Sequence, residues 1–274
     1  MLFSLRRKKR DKPGKRRVRG ELAPLGWRAR PGAAGPTPEE RAFAVGAPDY
    51  PVVDGPHYID VLDQLHRRLK PQWYLEVGAF TGLSLSVARG AYVAVDPMFR
   101  LGAPPPIFGQ AHLMQMTSAD FFASGFLARN AIRPDLAFLD GLHLFEALLD
   151  DFIAAERHAA DGGMIVLHDC LPSRDEMTAR TWDEAKVRFW TGDVWKVIVI
   201  LRALRPDLRI TILDAWPTGL ALIDRLDPAN ATLAEARDAQ VAALRDVSLR
   251  AYGLERFFGA LDIRSSFTHL QPQP

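Results

Sequence analysis

Two hydrophobic patterns alternate along the middle of the chain. Between residues 57 and 70, apolar side chains recur every three or four positions, which is the spacing of one face of a helix. Those positions are Tyr58, Val61, Leu62, Leu65 and Leu69. The next apolar run, Trp73-Tyr74-Leu75-Glu76-Val77, is short and ends at Gly78, as a buried strand does. The pattern therefore predicts a helix followed by a strand.

The same alternation continues as far as residue 167. We predict strands at 73–77, 92–95, 112–116, 136–139 and 164–167, and helices at 83–88, 118–128 and 144–159. Strands that alternate with helices at this spacing form a parallel sheet with helices on both faces. Two later runs, 210–213 and 220–223, flank Pro217-Thr218-Gly219 and predict an antiparallel hairpin at the edge of the sheet. The predicted class is α/β, with a mostly parallel, Rossmann-like sheet.

Composition divides the chain into four parts. Residues 1–20 are a basic tail, and residues 21–45 are rich in Pro and Gly, which is typical of a linker. Residues 46–230 carry the alternating pattern and form the predicted domain. A helix from Thr232 opens a C-terminal helical extension over 231–274. That extension can pack on the domain or on a second subunit, so a homo-oligomer is one expectation.

Overall composition excludes several classes of protein. Apolar residues make up 48% of the 274 and charged residues 25%, the proportions of a globular protein. A single Cys excludes an internal disulfide scaffold and a cysteine-rich zinc site. No apolar stretch approaches the roughly 18 residues that cross a bilayer, so we expect a cytoplasmic protein without a transmembrane segment.

Positive charge is concentrated in the first 20 residues. They hold ten Lys or Arg against a single Asp, whereas the rest of the chain holds 25 basic and 32 acidic side chains. A solvated, disordered leader is one interpretation, because like charges repel each other and resist burial. Contact with anionic lipid or nucleic acid is the other, because basic clusters displace counterions from such surfaces.

A turn that contains two glycines follows the first predicted strand, at Glu76-Val77-Gly78-Ala79-Phe80-Thr81-Gly82. Ligands bind beyond the carboxyl ends of parallel strands, where glycine lets the backbone approach them closely. Asp96 closes the next strand, where an acid can accept both hydroxyls of a ribose. A dinucleotide fold requires Gly-x-Gly-x-x-Gly, but Phe80 and Leu83 occupy its second and third glycine positions. The turn therefore favours a nucleoside-containing ligand other than NAD.

This turn, together with Val95-Asp96, resembles the S-adenosylmethionine (SAM) site of class I methyltransferases. Two later stretches are similar to the methyltransferase domain 24 family of small-molecule O-methyltransferases, namely Phe138-Leu139-Asp140-Gly141-Leu142-His143 and Gly162-Gly163-Met164-Ile165-Val166-Leu167-His168-Asp169. The resemblance covers residues 55–225. It implies a SAM cofactor and a seven-stranded sheet with a reversed edge strand.

The resemblance also implies which residues contact the cofactor. They are Glu76, Gly78, Ala79, Phe80, Gly82, Asp96, Thr117 and Ser118. Glu76 and Gly78 would shape the methionine end, Asp96 would hold the ribose, and Thr117-Ser118 would lie beside the adenine. The family places an acid near the adenine, whereas this chain has Ala119 beside Ser118, with Asp120 one position later.

Acidic and imidazole side chains follow the fourth and fifth predicted strands. Asp140 ends one strand and Asp169 follows the other, and neighbouring strands are about 5 Å apart, so the two carboxylates can share a cation such as Mg²⁺. His143 lies three residues beyond Asp140, and an imidazole is a suitable base for a hydroxyl. We predict that Asp140, His143 and Asp169 are catalytic, and that Asp140, Asp169 and His168 form a metal site. The alternatives are a loop-capping or substrate-orienting role for His143 and buried support of a strand end for His168.

Three functions remain open from the sequence. The first is SAM-dependent O-methylation of a small molecule or sugar, in which His143 removes the hydroxyl proton, with or without a metal. The second is a SAM-fold scaffold without turnover, and the third is an NAD-linked oxidoreductase, because a fold does not determine its chemistry. Phe189, Trp190 and Trp195 line an acceptor pocket or pack in the core.

Overall fold

The computed structural model describes residues 47–184 and 187–269, in which one eight-stranded sheet organises the fold. The strands are β1 (Trp73–Val77), β2 (Ala91–Val95), β3 (Ala111–Met114), β4 (Leu136–Leu139), β5 (Met164–His168), β6 (Arg209–Leu213), β7 (Leu220–Asp224) and β8 (Ile263–Arg264). The helices are α1 (Tyr58–Leu69), α2 (Ser118–Ala123), α3 (Phe126–Arg129), α4 (Phe145–His158), α5 (Trp195–Leu204), α6 (Thr232–Leu244), α7 (Leu249–Tyr252), α8 (Leu254–Phe258) and α9 (Ser266–His269). The tail predicted at 1–20 and the linker predicted at 21–45 lie outside the described residues.

The predicted α/β class is confirmed, and two details of the sheet differ from the prediction. Strands run in the order β3-β2-β1-β4-β5-β7-β6-β8, and the first five of these are mutually parallel. The reversed strand, β7, lies between β5 and β6 rather than at the edge. The connection 214–219 is too short for a parallel crossover, so β6 and β7 pair as the predicted hairpin. An eighth strand, β8, pairs with β6 where Ile263 faces Ile212.

Two predicted helices are shorter than their hydrophobic patterns indicate. The segment 83–88 forms only a 3-10 turn, Ser84–Val87, and the Ser84 hydroxyl donates to the carboxylate of Glu76. The segment 118–128 is divided into α2 and α3 at Gly125, which has a φ of +66°. Serine and glycine favour such breaks, because serine bonds to nearby groups and glycine adopts left-handed conformations easily.

Apolar side chains cover both faces of the sheet. α4 and α5 pack on one face, and α1 packs on the other with the 3-10 turn. Leu233, Leu249 and Phe257 are buried in the first of these layers. Within the described residues, the C-terminal extension therefore packs on the domain and contributes β8 to its sheet. None of the described helices is both long and apolar enough to cross a membrane.

Candidate functional site

A cleft of about 990 Å³ opens where β1, β2, β4 and β5 end. Loops that follow these strands supply most of its lining, as expected for an open parallel sheet. The turn after β1, Asp96 and residues 117–119 line one part of the cleft. Another part of the cleft is lined by residues 140–143, 168–169, 188–190 and 216–218. The volume is at the upper end of the range for small-molecule sites.

Gly78 brings two loops of the cleft into direct contact. Its φ is +89°, and a Cβ there would lie 1.9 Å from the backbone oxygen of Asp140. Its N–H donates to the carbonyl of Val95 at 2.9 Å, which ties the end of β1 to β2. The sequence predicts that this glycine leaves room for a ligand. What occupies the space of its missing side chain is instead the Asp140 carbonyl.

Asp96 holds the glycine turn in place. Its Oδ2 accepts a hydrogen bond from the Phe80 N–H at 2.8 Å, and its Oδ1 accepts one from the Met98 N–H at 2.7 Å. Phe80 has a φ of +28°, and the residue is 43% exposed at the wall of the cleft. Each carboxylate oxygen has a second lone pair, so Asp96 can still accept hydroxyl donors from a ligand.

Glu76 lies beneath the turn and outside the cleft lining. Its carboxylate is fully buried and accepts hydrogen bonds from the Tyr74 hydroxyl at 2.8 Å and from the Ser84 hydroxyl. Burial raises the pKa of Glu76 to about 7, although these two bonds act in the opposite direction. Gly82, with a φ of +73°, also lies outside the lining. The other predicted cofactor contacts line the cleft: Gly78, Ala79, Phe80, Asp96, Thr117 and Ser118.

Thr117 and Ser118 reach the cleft at the start of α2. The Thr117 Oγ1 caps this helix, because it accepts from the Asp120 N–H at 3.1 Å and donates to Asp120 Oδ2 at 2.7 Å. Asp120 is thus engaged by the helix cap, and Ala119 takes the lining position beside Ser118. The lining from Thr117 to Ala119 therefore carries hydroxyl and methyl groups and no carboxylate.

Two carboxylates and two imidazoles meet on one side of the cleft. His143 Nε2 lies 3.2 Å from Asp169 Oδ2 and 3.5 Å from Asp140 Oδ1. His168 Nδ1 lies 3.1 Å from Asp140 Oδ1 and 3.5 Å from Asp169 Oδ1. The pairing of β4 with β5 brings these side chains together, as the sequence predicts.

Opposite charges balance within this cluster. Burial alone would lower the pKa of both histidines, but the carboxylates of Asp169 and Asp140 outweigh it. The pKa rises to about 9 for His143 and to about 10 for His168. Burial acts to raise the pKa of Asp140, yet the two histidines hold it well below its usual range. The surroundings therefore favour the imidazolium form of both histidines.

The two histidines differ in the groups that hold them. His143 Nδ1 donates to the Trp190 carbonyl at 2.7 Å, and the two rings stack with centroids 5.0 Å apart. His168 Nε2 lies 3.3 Å from Thr218 Oγ1, and its ring packs 4.2 Å from that of Tyr58. Side-chain exposure is 24% for His143 and 8% for His168. His143 is thus the more accessible base.

Three of these side chains could hold a metal ion together. Asp140, His143 and Asp169 each place one ligand atom within 4.8 Å of the others. The sequence predicts His168 as the third ligand, whereas His143 completes this set. A ligand role for His168 stays a prediction.

Aromatic side chains contribute a further wall of the cleft. Phe189 and Trp190 line it with Trp182, which is 55% exposed, whereas Trp195 is buried in the core. Sequence reasoning missed the lining residues Tyr58 and Trp216. Tyr58 belongs to the apolar face of the predicted helix, so the sequence pattern indicates a core residue. Nothing in that pattern shows that α1 begins beside the cleft.

Comparisons with known proteins show what part of the chain is similar to. Residues 75–170 match the family model Methyltransf_24, a methyltransferase domain. No curated protein matches the chain. Similar solved structures include the O-methyltransferase from Bacillus cereus in complex with S-adenosylhomocysteine (SAH), 14% identical over 60% of this chain and 78% of that one, with a TM-score of 0.43. A second is the O-methyltransferase TomG from Streptomyces achromogenes in complex with SAM, 16% identical over 61% of this chain and 78% of that one, with a TM-score of 0.44. A third is the SAH-bound methyltransferase PaMTH1 from Podospora anserina, 14% identical over 61% of this chain and 76% of that one, with a TM-score of 0.42.

The matched segment carries most of the site. It begins within β1 and ends just after Asp169, so it includes the glycine turn, Asp96, residues 117–119 and the whole Asp-His cluster. The match agrees with the resemblance seen in the sequence. Residues 75–170 are therefore similar to a methyltransferase domain, the kind of domain that the sequence motifs resemble.

Proposed function

We propose that the chain methylates a hydroxyl group of a small molecule, with His143 as the base that removes the hydroxyl proton. The observation that carries the proposal is the position of His143 Nε2. It lies 3.2 Å from Asp169, in the same cleft as the glycine turn and Asp96. A base and a nucleoside-sized pocket are the two features that methyl transfer to a hydroxyl requires.

SAM would occupy the part of the cleft between the glycine turn and α2. Asp96 would accept the ribose hydroxyls while it keeps its bonds to the turn, and Thr117-Ser118 would lie beside the adenine. When bound, SAM supplies an electrophilic methyl group. The contribution of the chain is to align that group with the acceptor oxygen and to remove the proton.

The Trp190 carbonyl determines which nitrogen of His143 acts. Because Nδ1 donates to that carbonyl, the neutral ring carries its proton on Nδ1 and has a free lone pair on Nε2. Nε2 therefore accepts the proton of the acceptor hydroxyl. Asp169 and Asp140 then stabilise the imidazolium and orient the acceptor oxygen.

The acceptor would bind against the aromatic wall. Trp182, Phe189 and Trp190 offer flat apolar surfaces beside His143, and Arg188 adds a cation at the same wall. Aromatic side chains pack well on ring-shaped molecules, while a few polar groups fix the orientation. We infer that the acceptor is a small ring-bearing molecule, a sugar included.

A divalent cation also fits the Asp-His cluster. Asp140 and Asp169 offer hard oxygen ligands and His143 offers a nitrogen, a donor set that suits Mg²⁺ or Mn²⁺. Such an ion would polarise the acceptor oxygen and so lower the pKa of the hydroxyl. His143 has to lose its proton in order to become a ligand, and the ligand atom would be Nε2, because Nδ1 donates to the Trp190 carbonyl. In that form the ion would acidify the hydroxyl in place of base catalysis by His143.

Manganese binding is therefore expected to strengthen as the pH rises from 7 towards 9, the pKa of His143. Titration of Mn²⁺ followed by electron paramagnetic resonance measures this in the wild type and in Asp169→Asn. The variant is expected to bind about tenfold more weakly or worse. Asp161→Asn, a change at an exposed carboxylate, is the control. Equally weak binding by all three proteins at both pH values would mean that the cluster works without an ion.

Asp96→Ala is expected to weaken SAH binding by about 10- to 100-fold. A hydrogen bond to a charged group contributes about 1.5–3 kcal/mol, and the change also releases the Phe80 and Met98 N–H groups. Calorimetric titration with SAH measures the effect. Asp120→Ala, at the helix cap, removes a carboxylate outside the lining and is expected to bind SAH like the wild type.

The same titration with NAD⁺ tests the oxidoreductase hypothesis. No binding is expected, because Phe80 stands where a pyrophosphate needs bare backbone. Equal SAH affinity in the wild type and Asp96→Ala would place the ribose elsewhere in the cleft. SAH binding without methyl transfer to any acceptor would favour the scaffold hypothesis.

A further inference from the structure

The segment Gly192-Asp193-Val194-Trp195-Lys196 touches the loop that carries His143. Gly192 has a φ of +56°, and a Cβ there would lie 1.8 Å from the backbone oxygen of His143 and 2.8 Å from its Cβ. Backbone atoms cannot rotate away as a flexible side chain can. Only glycine therefore allows the two backbones to pack in this way.

Asp193 holds the chain on the other side of His143. Its carboxylate is buried, and Oδ1 accepts a hydrogen bond from the Phe145 N–H at 2.9 Å. Phe145 is the first residue of α4, where helical N–H groups have no partner within the helix. With the bond from His143 Nδ1 to the Trp190 carbonyl, residues 190–193 fix both the ring of His143 and the backbone around it.

Lys196 and Arg180 neutralise Asp193. Lys196 Nζ lies 2.8 Å from Asp193 Oδ2, and Arg180 Nη1 lies 2.6 Å from the same oxygen. Lys196 is 1% exposed and also donates to the Arg245 carbonyl at 2.9 Å, which connects this network to the C-terminal segment. A buried ion pair recovers little of its desolvation cost as stability. The ion pairs of Asp193 instead fix the position of the loop that carries His143.

We propose that Gly192, Asp193 and Lys196 are positioning residues that set the angle at which His143 presents Nε2 to the acceptor. The proposal rests on the role of His143 proposed above. It assigns a use to three residues that contact neither the reacting atoms nor the cofactor. A misplacement of a catalytic group by about 1 Å can lower the rate by about 10²-fold. Precise placement of His143 therefore matters more for turnover than the buried ion pairs matter for stability.

Gly192→Ala is expected to lower kcat by about 30- to 100-fold and to leave the dissociation constant of SAH unchanged. The ¹⁵N resonance of His143 Nδ1 reports its bond to the Trp190 carbonyl and is expected to move away from its hydrogen-bonded position. Gly162→Ala is the matched control, because Gly162 also has a left-handed φ, +74°, but has nothing within 4 Å of a Cβ. That variant is expected to keep the wild-type kcat and resonance.

Asp193→Asn provides a milder second test if Gly192→Ala does not fold. An amide oxygen can still accept from the Phe145 N–H, but Lys196 loses its carboxylate partner and Arg180 keeps only that of Glu146. We expect a lower kcat, a shifted Nδ1 resonance and unchanged SAH affinity. Wild-type values of kcat and of the resonance in the folded variant would overturn the proposal. Full turnover in His143→Ala, with the resonance still moved by Gly192→Ala, would instead reject His143 as the base and retain the positioning of its ring.

Discussion

Replacement of His143 by Ala is expected to lower kcat by about 10²- to 10⁴-fold, the usual contribution of a positioned general base. The affinity for SAH is expected to stay unchanged, since the hydrogen bonds and ion pairs of the His143 ring within the described residues reach Asp140, Asp169 and Trp190 and not the glycine turn. Transfer of a labelled methyl group measures kcat, and calorimetry measures SAH binding in the same preparations.

The pH dependence of the wild type gives this prediction a second readout. The neutral ring is the base, and the pKa of His143 is raised to about 9 because the facing carboxylates outweigh the effect of burial. Turnover is therefore expected to rise about tenfold between pH 7 and pH 8, about fivefold between pH 8 and pH 9, and to level off above that.

In His143→Ala, the increase of turnover between pH 7 and pH 9 is expected to disappear together with most of the activity. His158→Ala is the control, because His158 lies in the last turn of α4 and outside the cleft lining. This variant is expected to keep both the wild-type turnover and its increase with pH. Wild-type turnover in His143→Ala, with the same increase between pH 7 and pH 9, would show that another group takes the proton.

Gly78→Ala is expected to lower the free energy of unfolding by about 2–5 kcal/mol and to abolish measurable SAH binding. An L side chain in a left-handed conformation costs about 1–2 kcal/mol, and overpacking adds about 1–3 kcal/mol. The new Cβ would lie 1.9 Å from the Asp140 oxygen, so the turn and the Asp140 loop have to separate. Thermal unfolding and SAH calorimetry measure the two effects.

Gly162→Ala separates backbone strain from the clash at Gly78. It places an Ala at a φ of +74° with open space around it, so only the cost of the conformation applies. A smaller loss of stability and normal SAH binding are expected. If Gly78→Ala behaved in the same way, the contact with the Asp140 carbonyl would not be what requires glycine.

The sequence was most informative where neighbouring residues decide the structure. The bounds predicted for β1 and β4 agree with the observed Trp73–Val77 and Leu136–Leu139, because short apolar runs buried on both faces leave little freedom. The predicted helix at 83–88 forms only a 3-10 turn, and Ser84 in it donates to Glu76, a contact that hydrophobic periodicity does not record.

The candidate site divides in the same way. The proximity of Asp140 and Asp169 could be predicted, because the two residues follow consecutive strands and consecutive strands are usually neighbours in a sheet. The lining role of Tyr58 and the capping of α2 by Thr117 with Asp120 could not, because both depend on where a helix begins in space.

By itself, the sequence determined the α/β class, the glycine turn with Asp96 and the residues of the cluster, since each follows from local periodicity or from strand ends. Only the tertiary structure decided which histidine is accessible, which of its nitrogens faces the two carboxylates and why Gly78 and Gly192 are glycine. Those answers depend on the carbonyls of Asp140, His143 and Trp190. The direction of a carbonyl group is set by packing between segments far apart in the chain, and no local pattern records it.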